Sequence, residues 1–285
     1  MGIDYTTETS LEGQVALVTG GGAGIGRGIA ISLAGHGASV VIADVDDARA
    51  AKTVSLIADI GGRALAVHTD VMDTKQVRAA VETTAASYGR LDILINNAGG
   101  VSGRNFLEQT ERSWRRHIDI NLVSMIAATH AAAPLMIAGG HGGKIINITS
   151  IEGSRAAPKY AVYAACKAGM ISFTRTMALE LSEHNIRVNC LAPDMTVTPG
   201  LRGIMTDDAD DETLESMQNN SANDIKGYIP LGREGRVNDL GDAAVFLCSE
   251  MSSYITGVTI PVDGGTWASS GWTRTADRTG WRLQH

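Results

Sequence analysis

The sequence is poor in most of what would build chemistry outside an aliphatic fold. Aromatic residues are 5 % of its 285 residues, so a core must come mainly from Ala, Val, Ile and Leu within an apolar share of 44 %. Cysteine is scarce: Cys166, Cys190 and Cys248 are an odd number with no metal-ligand spacing. They argue against a disulfide framework and read as reduced, buried thiols of a cytoplasmic protein. None of the 7 histidines falls in an H-E-x-x-H pattern, so no metal is expected. Lys and Arg form no long run and the formal net charge is −7, which argues against nucleic acid or an anionic membrane as partner. No stretch of about 18 uninterrupted apolar residues occurs. The opening "MGIDYTTETSLEG" lacks the basic start and apolar centre of a signal peptide. Glycine is plentiful at 33 residues but scattered, which excludes collagen-like and linker compositions.

What is there is an alternation. Short apolar runs, "QVALVTG" (14–20), "SVVIADVD" (39–46), "RALAVHTDV" (63–71), "LDILINNAG" (91–99), "GKIINITS" (143–150), "IRVNCLAP" (186–193) and "GVTIPVDGG" (257–265), are predicted as strands. Helical segments fall between them, near 24–36, 46–60, 73–88, 108–138, 157–184 and 239–249. Continuous apolar strands are buried on both faces, and intervening helices force parallel pairing. The expectation is an α/β fold: one Rossmann-type domain over 1–285, its core about 14–265, with a seven-stranded, doubly wound parallel sheet. Ligands in such sheets bind at the carboxyl ends of the strands. Two segments interrupt the pattern. Residues 199–230, with "DDADDE" at 207–212, are expected to form a lid insertion, and 266–285 form a tail carrying Trp267, Trp272 and Trp281.

"TGGGAGIG" (19–26) lies between a predicted strand and a predicted helix. Gly20, Gly24 and Gly26, with Ile25 between the last two, suit a tight turn that brings main chain up to a pyrophosphate at a helix N-terminus; the same cluster alone also fits a plain turn. No Lys-Ser/Thr pair follows, which disfavours an ATP-type loop. Asp44 ends the second strand, where a carboxylate can accept from ribose hydroxyls and would repel a 2′-phosphate; alone it also fits a solvated strand end. Together with Ala23 in place of a basic residue before Gly24, it favours NAD over NADP.

Tyr163 and Lys167, four apart, share a helix face. An ammonium beside a phenol favours the phenolate, and a nicotinamide cation nearby would add to it, so the two charges together are expected to bring the tyrosine from its ordinary pKa of about 10 towards neutrality; the spacing alone also fits an exposed helix pair. Ser150 ends the fifth strand, at the edge where a ligand belongs; alone it also fits a turn or a helix cap.

In their order and spacing these pieces resemble the short-chain dehydrogenase/reductase family over about Gln14 to Gly265: "TGGGAGIG", "NNAG" (96–99), Asn121 in "DINL", Ser150, "YAACK" (163–167), "APDMTVTP" (192–199) and "YITGVTIPVDGG" (254–265). The resemblance implies a nicotinamide cofactor and hydride transfer between an alcohol and a ketone. It implies Tyr163 as general acid/base, Ser150 orienting the substrate oxygen, Lys167 acting on the tyrosine and the nicotinamide ribose, and Asn121 holding a water in a relay. Asp70 and Val71 match an adenine-contacting pair, and Asn97, Ala98 and Gly99 would line the cofactor cleft. Pro193 and Thr198, with Thr196 between them, match the nicotinamide-amide side. Asp194 departs from the family's usual glycine. It and Glu152 are candidate substrate contacts, with solvent-facing loop acids as the alternative. The substrate expected is a free secondary alcohol such as a hydroxysteroid or polyol. The rivals are reduction of 3-oxoacyl groups on acyl carrier protein and a dinucleotide-binding sensor or scaffold without turnover. Alanine-rich helices near 108–138 and 157–184 fit the family's habit of pairing into a homotetramer.

Overall fold

A computed structural model describes residues 8–198, 227–275 and 279–283. The seven expected strands form one parallel sheet: β1 Val15–Thr19, β2 Ser39–Asp44, β3 Arg63–His68, β4 Ile93–Asn96, β5 Gly143–Ile148, β6 Ile186–Pro193 and β7 Thr259–Val262, in the order β3-β2-β1-β4-β5-β6-β7. Every residue of β1 and β4 is buried, which is why these strands read as unbroken apolar runs. The chain reverses direction of travel between β1 and β4, the switch point where such sheets open a crevice. Register places Thr19 beside Ala43, Asn96 beside Asn147, and Pro193 beside Val262, so these strand ends share one edge.

The helices cover both faces. On one side α1 (Gly24–Gly35) and a late helix, α7 (Val237–Cys248), bury Ile29, Leu33, Leu240 and Leu247 against Ile42 and Ile146. On the other, α3 (Thr74–Tyr88) and α5 (Ser124–Gly139) bury Val77, Val81 and Met136 against Leu17, Val41 and Ile145. Full burial of one such aliphatic side chain contributes about 1.5–3 kcal/mol. Gly28 lets α1 and α7 touch: a Cβ there would lie 2.7 Å from the Val237 side chain. α2 (Asp47–Asp59) and α6 (Ala161–Glu180) complete the layers.

Three segments differ from expectation. The helix expected over 108–138 is broken into α4 (Glu111–Ile118), a π-helical turn (Asp119–Val123) and α5. In that turn the Ser124 N–H donates to the Asp119 carbonyl, five residues back, while the Asn121 side chain donates to the His117 carbonyl (3.0 Å). The helix expected over 157–184 begins only at Ala161, because Ser150 starts a short 3-10 turn (Ile151–Gly153) that carries the chain across the site first. The tail adds a short helix, α8 (Thr266–Ser269), and a two-stranded antiparallel hairpin, β8 (Trp272–Arg274) with β9 (Trp281–Leu283), pinned by the Arg274 guanidinium 4.1 Å from the centre of the Trp281 ring. Residues 199–226 of the expected lid lie outside the described residues. The run Glu111–Gly139 is long and apolar enough to cross a membrane by composition, but α5 packs its Met125, Ala128, Ala132 and Met136 into the core.

Candidate active site

The glycine-rich turn leaves β1 and enters α1. Its glycines are there because nothing larger fits. A Cβ on Gly26 would lie 2.1 Å from the Gly20 carbonyl oxygen, and Gly20 and Gly24 have φ of +62° and +54°. Asn97 stitches the turn to β4: its side-chain amide donates to the carbonyls of Thr19 and Gly20 (both 3.0 Å). The Thr19 hydroxyl in turn accepts the N–H groups of Asn97 and Ala98 (both 3.1 Å). Asn97 thus shapes the cleft by holding main chain, and its amide is already engaged.

The first turn of α1 has no side-chain cap. Ala23 supplies none, whereas Asp46, Asp73 and Thr110 accept N–H groups at the starts of α2, α3 and α4. An uncapped helix start behind a glycine-rich turn fits a phosphate group. Asp44 is fixed beside it, accepting the N–H groups of Gly22 (2.8 Å) and Asp46 (3.0 Å). The neighbouring cations are engaged: Arg27 with Thr53 (3.1 Å) and the Gly22 carbonyl, Arg49 with Asp46 (3.5 Å). Thr198 lies over Gly24, 3.3 Å from where its Cβ would be. Ile25 packs against the core, Asp70 closes the turn after β3 by accepting the Met72 N–H, and Val71 is buried. Thr196 is pinned in a bridge to Gly235, which leaves it a structural part of the wall. These residues fit a nicotinamide dinucleotide.

Tyr163 and Lys167 stand on α6 as their spacing required, with Lys167 Nζ 5.5 Å from the centre of the Tyr163 ring. Lys167 is wholly buried and donates to the Ile148 carbonyl (2.8 Å); burial lowers its pKa to about 8. Without a dinucleotide, the shift at Tyr163 is upward. Burial pushes the phenol up to about 12; the Ser150 hydroxyl draws it down, and the charge of Glu152 raises it again. That is roughly 3 kcal/mol against the phenolate. The protein alone holds a protonated tyrosine, because the cost of burying the phenolate outweighs the Ser150 hydroxyl beside it. Asn121 is buried in the π turn, donating to the Gly100 carbonyl (2.8 Å) and accepting the Gly100 N–H (3.2 Å). Gly99 is bare because a Cβ would approach Asn121 Oδ1 to 2.8 Å, and Lys167 Nζ to 3.6 Å.

Ser150, 6 % exposed, caps the turn after β5. Its Oγ accepts the Glu152 N–H (3.2 Å) and donates to Glu152 Oε2 (2.7 Å). The other oxygen, Oε1, accepts from Arg155 Nη2 (2.8 Å), which also donates to the Tyr228 hydroxyl (2.8 Å) and stands 3.8 Å from Asp194 Oδ1. Asp194 follows the end of β6 with its side chain 8 % exposed, so burial raises its pKa above the usual carboxylate range. Thr266 and Arg155 oppose that rise. Among the described residues, Asp194 Oδ2 and Arg155 Nε are buried with no hydrogen-bond partner. Neither Glu152 nor Asp194 is a solvated loop acid. Arg155 and Tyr228 are the residues that sequence reasoning missed. Arg155, three after Glu152, was visible as a local ion-pair spacing; Tyr228 carries no signal at that range. Among the described residues no group of His, Cys, Asp and Glu could hold a metal, and all three cysteines are free and buried.

Comparison with known proteins gives a consistent picture. Residues 20–266 match a family model described as enoyl-(acyl carrier protein) reductase. A galactitol 2-dehydrogenase of Agrobacterium fabrum is 39 % identical over 259 residues, 91 % of this chain and 99 % of that one. A 7α-hydroxysteroid dehydrogenase solved with NADH and 7-oxo glycochenodeoxycholic acid superimposes with a TM-score of 0.81 at 34 % identity, covering 92 % of this chain and 98 % of its own. A dehydrogenase of Agrobacterium tumefaciens solved with NADP gives a TM-score of 0.78 at 34 % identity, with 92 % and 99 % covered.

Proposed function

The chain belongs to the short-chain dehydrogenase/reductase family and is an oxidoreductase acting on CH–OH groups; from that premise we propose that it interconverts a free secondary alcohol and its ketone with NAD, Tyr163 exchanging the proton. The observation that carries this is the Tyr163–Lys167–Ser150 group at the carboxyl edge of the sheet, two strands along from the glycine turn, with Lys167 and Ser150 buried and Tyr163 half-buried. When bound, a nicotinamide dinucleotide supplies the hydride acceptor or donor and, oxidised, a positive ring that works against the burial of Tyr163. Towards a ketone, the protonated Tyr163 hydroxyl donates to the carbonyl oxygen as it becomes an alcohol. Towards an alcohol, the Tyr163 oxygen takes the hydroxyl proton. Ser150 fixes that same oxygen, and Asn121 and Lys167 hold the floor beneath it.

Tyr163→Phe tests the assignment. Alcohol oxidation, followed as NADH absorbance over a panel of secondary alcohols, should fall by about 10²–10⁴-fold with dinucleotide affinity retained. Unchanged turnover would overturn it. NAD is favoured because Asp44 is held by two main-chain N–H groups while Arg27 and Arg49 are occupied by other partners. Wild type should prefer NAD, and Asp44→Ala should narrow the gap; a wild-type preference for NADP would contradict the choice.

An acidic acyl carrier protein is the poorer partner for a chain of net charge −7; of Arg112, Arg115 and Arg116, which could offer it a local basic patch, Arg115 is bound to Glu111 at 2.7 Å. A sensor without turnover has no use for a complete proton-exchanging set. Exposed Ile126 and Ile137 on α5 and Leu179 on α6 support assembly through these helices as a homotetramer; light scattering on the eluted protein should give four copies, and a monomer would refute it.

A further inference from the structure

The site at Ser150 is built with a donor already spent. A serine has one hydroxyl proton, and that of Ser150 goes to Glu152 Oε2 (2.7 Å). A substrate oxygen that needs this proton must take it from the carboxylate. A simple alcohol or ketone then leaves Glu152 Oε2 short of a donor in a half-buried position, which costs binding. A second hydroxyl on the carbon next to the reacting one removes that cost. Two oxygens on adjacent carbons stand about one hydrogen-bond length apart, which is the separation of Ser150 Oγ and Glu152 Oε2. One oxygen meets Ser150 while its neighbour donates to Glu152, and the serine proton is released for the reacting oxygen.

We propose that Glu152 is the specificity-determining residue of this site and that the substrate is a neutral polyhydroxylated compound, a polyol or sugar, with a hydroxyl vicinal to the carbinol that reacts. Two further observations point the same way. Asp194 Oδ2 is an acceptor without a partner among the described residues, on a side chain more than nine-tenths buried, and Arg155 Nε is a buried donor without one. An unused acceptor and an unused donor within one ion cluster suit further hydroxyl groups, each of which both gives and takes. The charge balance excludes the obvious competitor. Arg155 is the guanidinium between Glu152 (2.8 Å) and Asp194 (3.8 Å), so a substrate carboxylate brought there meets two carboxylates sharing one cation.

The proposal rests on the alcohol–ketone reading, and its test separates the two. NADH formation is measured with cyclohexanol, cis- and trans-1,2-cyclohexanediol and 2-hydroxycyclohexanecarboxylate, on wild type and Glu152→Ala. In wild type, kcat/KM for the better diol should exceed that for cyclohexanol by at least about tenfold, with the hydroxy acid lowest. In Glu152→Ala the diol-to-cyclohexanol ratio should fall towards one, whatever the absolute rates. Turnover of all three classes with no diol preference, or an unchanged ratio in the variant, overturns this inference and leaves the reaction class standing. A second readout needs no turnover. With NAD at saturation, sorbitol should raise the Tm of Tyr163→Phe and fail to raise that of Tyr163→Phe/Glu152→Ala. Equal shifts in the two proteins, or none in either, overturn the role of Glu152, whereas a loss of all alcohol oxidation in wild type speaks against the reaction itself.

Discussion

The two halves of the cleft are made differently. Around the glycine turn, polar groups are closed on one another: Asn97 on two carbonyls, Thr19 on two N–H groups, Asp44 on two more. The opposite wall, at the ends of β5 and β6, gathers Glu152, Arg155, Asp194 and Tyr228 and leaves Asp194 Oδ2 and Arg155 Nε without a partner among the described residues. On the function proposed above, the first half is the seat for the dinucleotide, which does not vary, and the second carries electrostatic cost that a substrate would relieve, trading stability for recognition.

The contrast can be broken most sharply at Gly26. Gly26→Ala drives a methyl to 2.1 Å from the Gly20 carbonyl, and main chain cannot yield as a side-chain tip does. A loss of about 3 kcal/mol or more in urea unfolding, with loss of dinucleotide binding, is expected. A loss under about 1 kcal/mol would show that the seat is not rigid.

Lys167, at the junction of the halves, gives the next effect. Its folded pKa is lowered from 10.5 to about 8 by burial, so between these values the unfolded chain binds more protons and stability rises with pH. Relative to Lys167→Met, the cofactor-free wild type should gain up to about 3 kcal/mol from pH 8 to pH 10.5. A flat difference would mean that the ammonium is solvated.

Asp194→Asn should be smaller and of the opposite sense to Gly26→Ala. At pH 8 the variant should match wild type or exceed it by about 1 kcal/mol, since an imperfectly paired buried charge is removed. Because the folded pKa of Asp194 is raised, its favourable contribution is fully present below 3.8 and lost as pH rises through the folded value. Wild type should therefore recover on the Asn variant as the pH falls towards 4. A large loss on substitution would make this wall a structural device. Arg115→Ala, at an exposed pair with Glu111, sets the floor: no more than about 0.5 kcal/mol.

The same difference decides what could be read in advance. The sheet was legible because both-face burial writes itself into the sequence as runs such as "VALVT" and "ILIN". The seat was legible because glycine is forced where a Cβ meets main chain, and Tyr163 with Lys167 because one helix face carries both. The direction of the Tyr163 shift was not, since it depends on how deeply the ring is buried and on the Glu152 charge nearby. Arg155 and Tyr228 are 73 positions apart, and no local period joins them. The break before α5 was equally hidden, because it arises where the Asn121 amide competes for a helical carbonyl.

That break has a mechanical meaning. One surplus residue in a helix is a phase offset of about 100° between the turns on its two sides. Glu111–Ile118 and Ser124–Gly139 are therefore angularly decoupled, and deleting a single residue from Asp119–Val123 would swing the upstream barrel by a quarter turn or more while the downstream one stayed seated on the sheet.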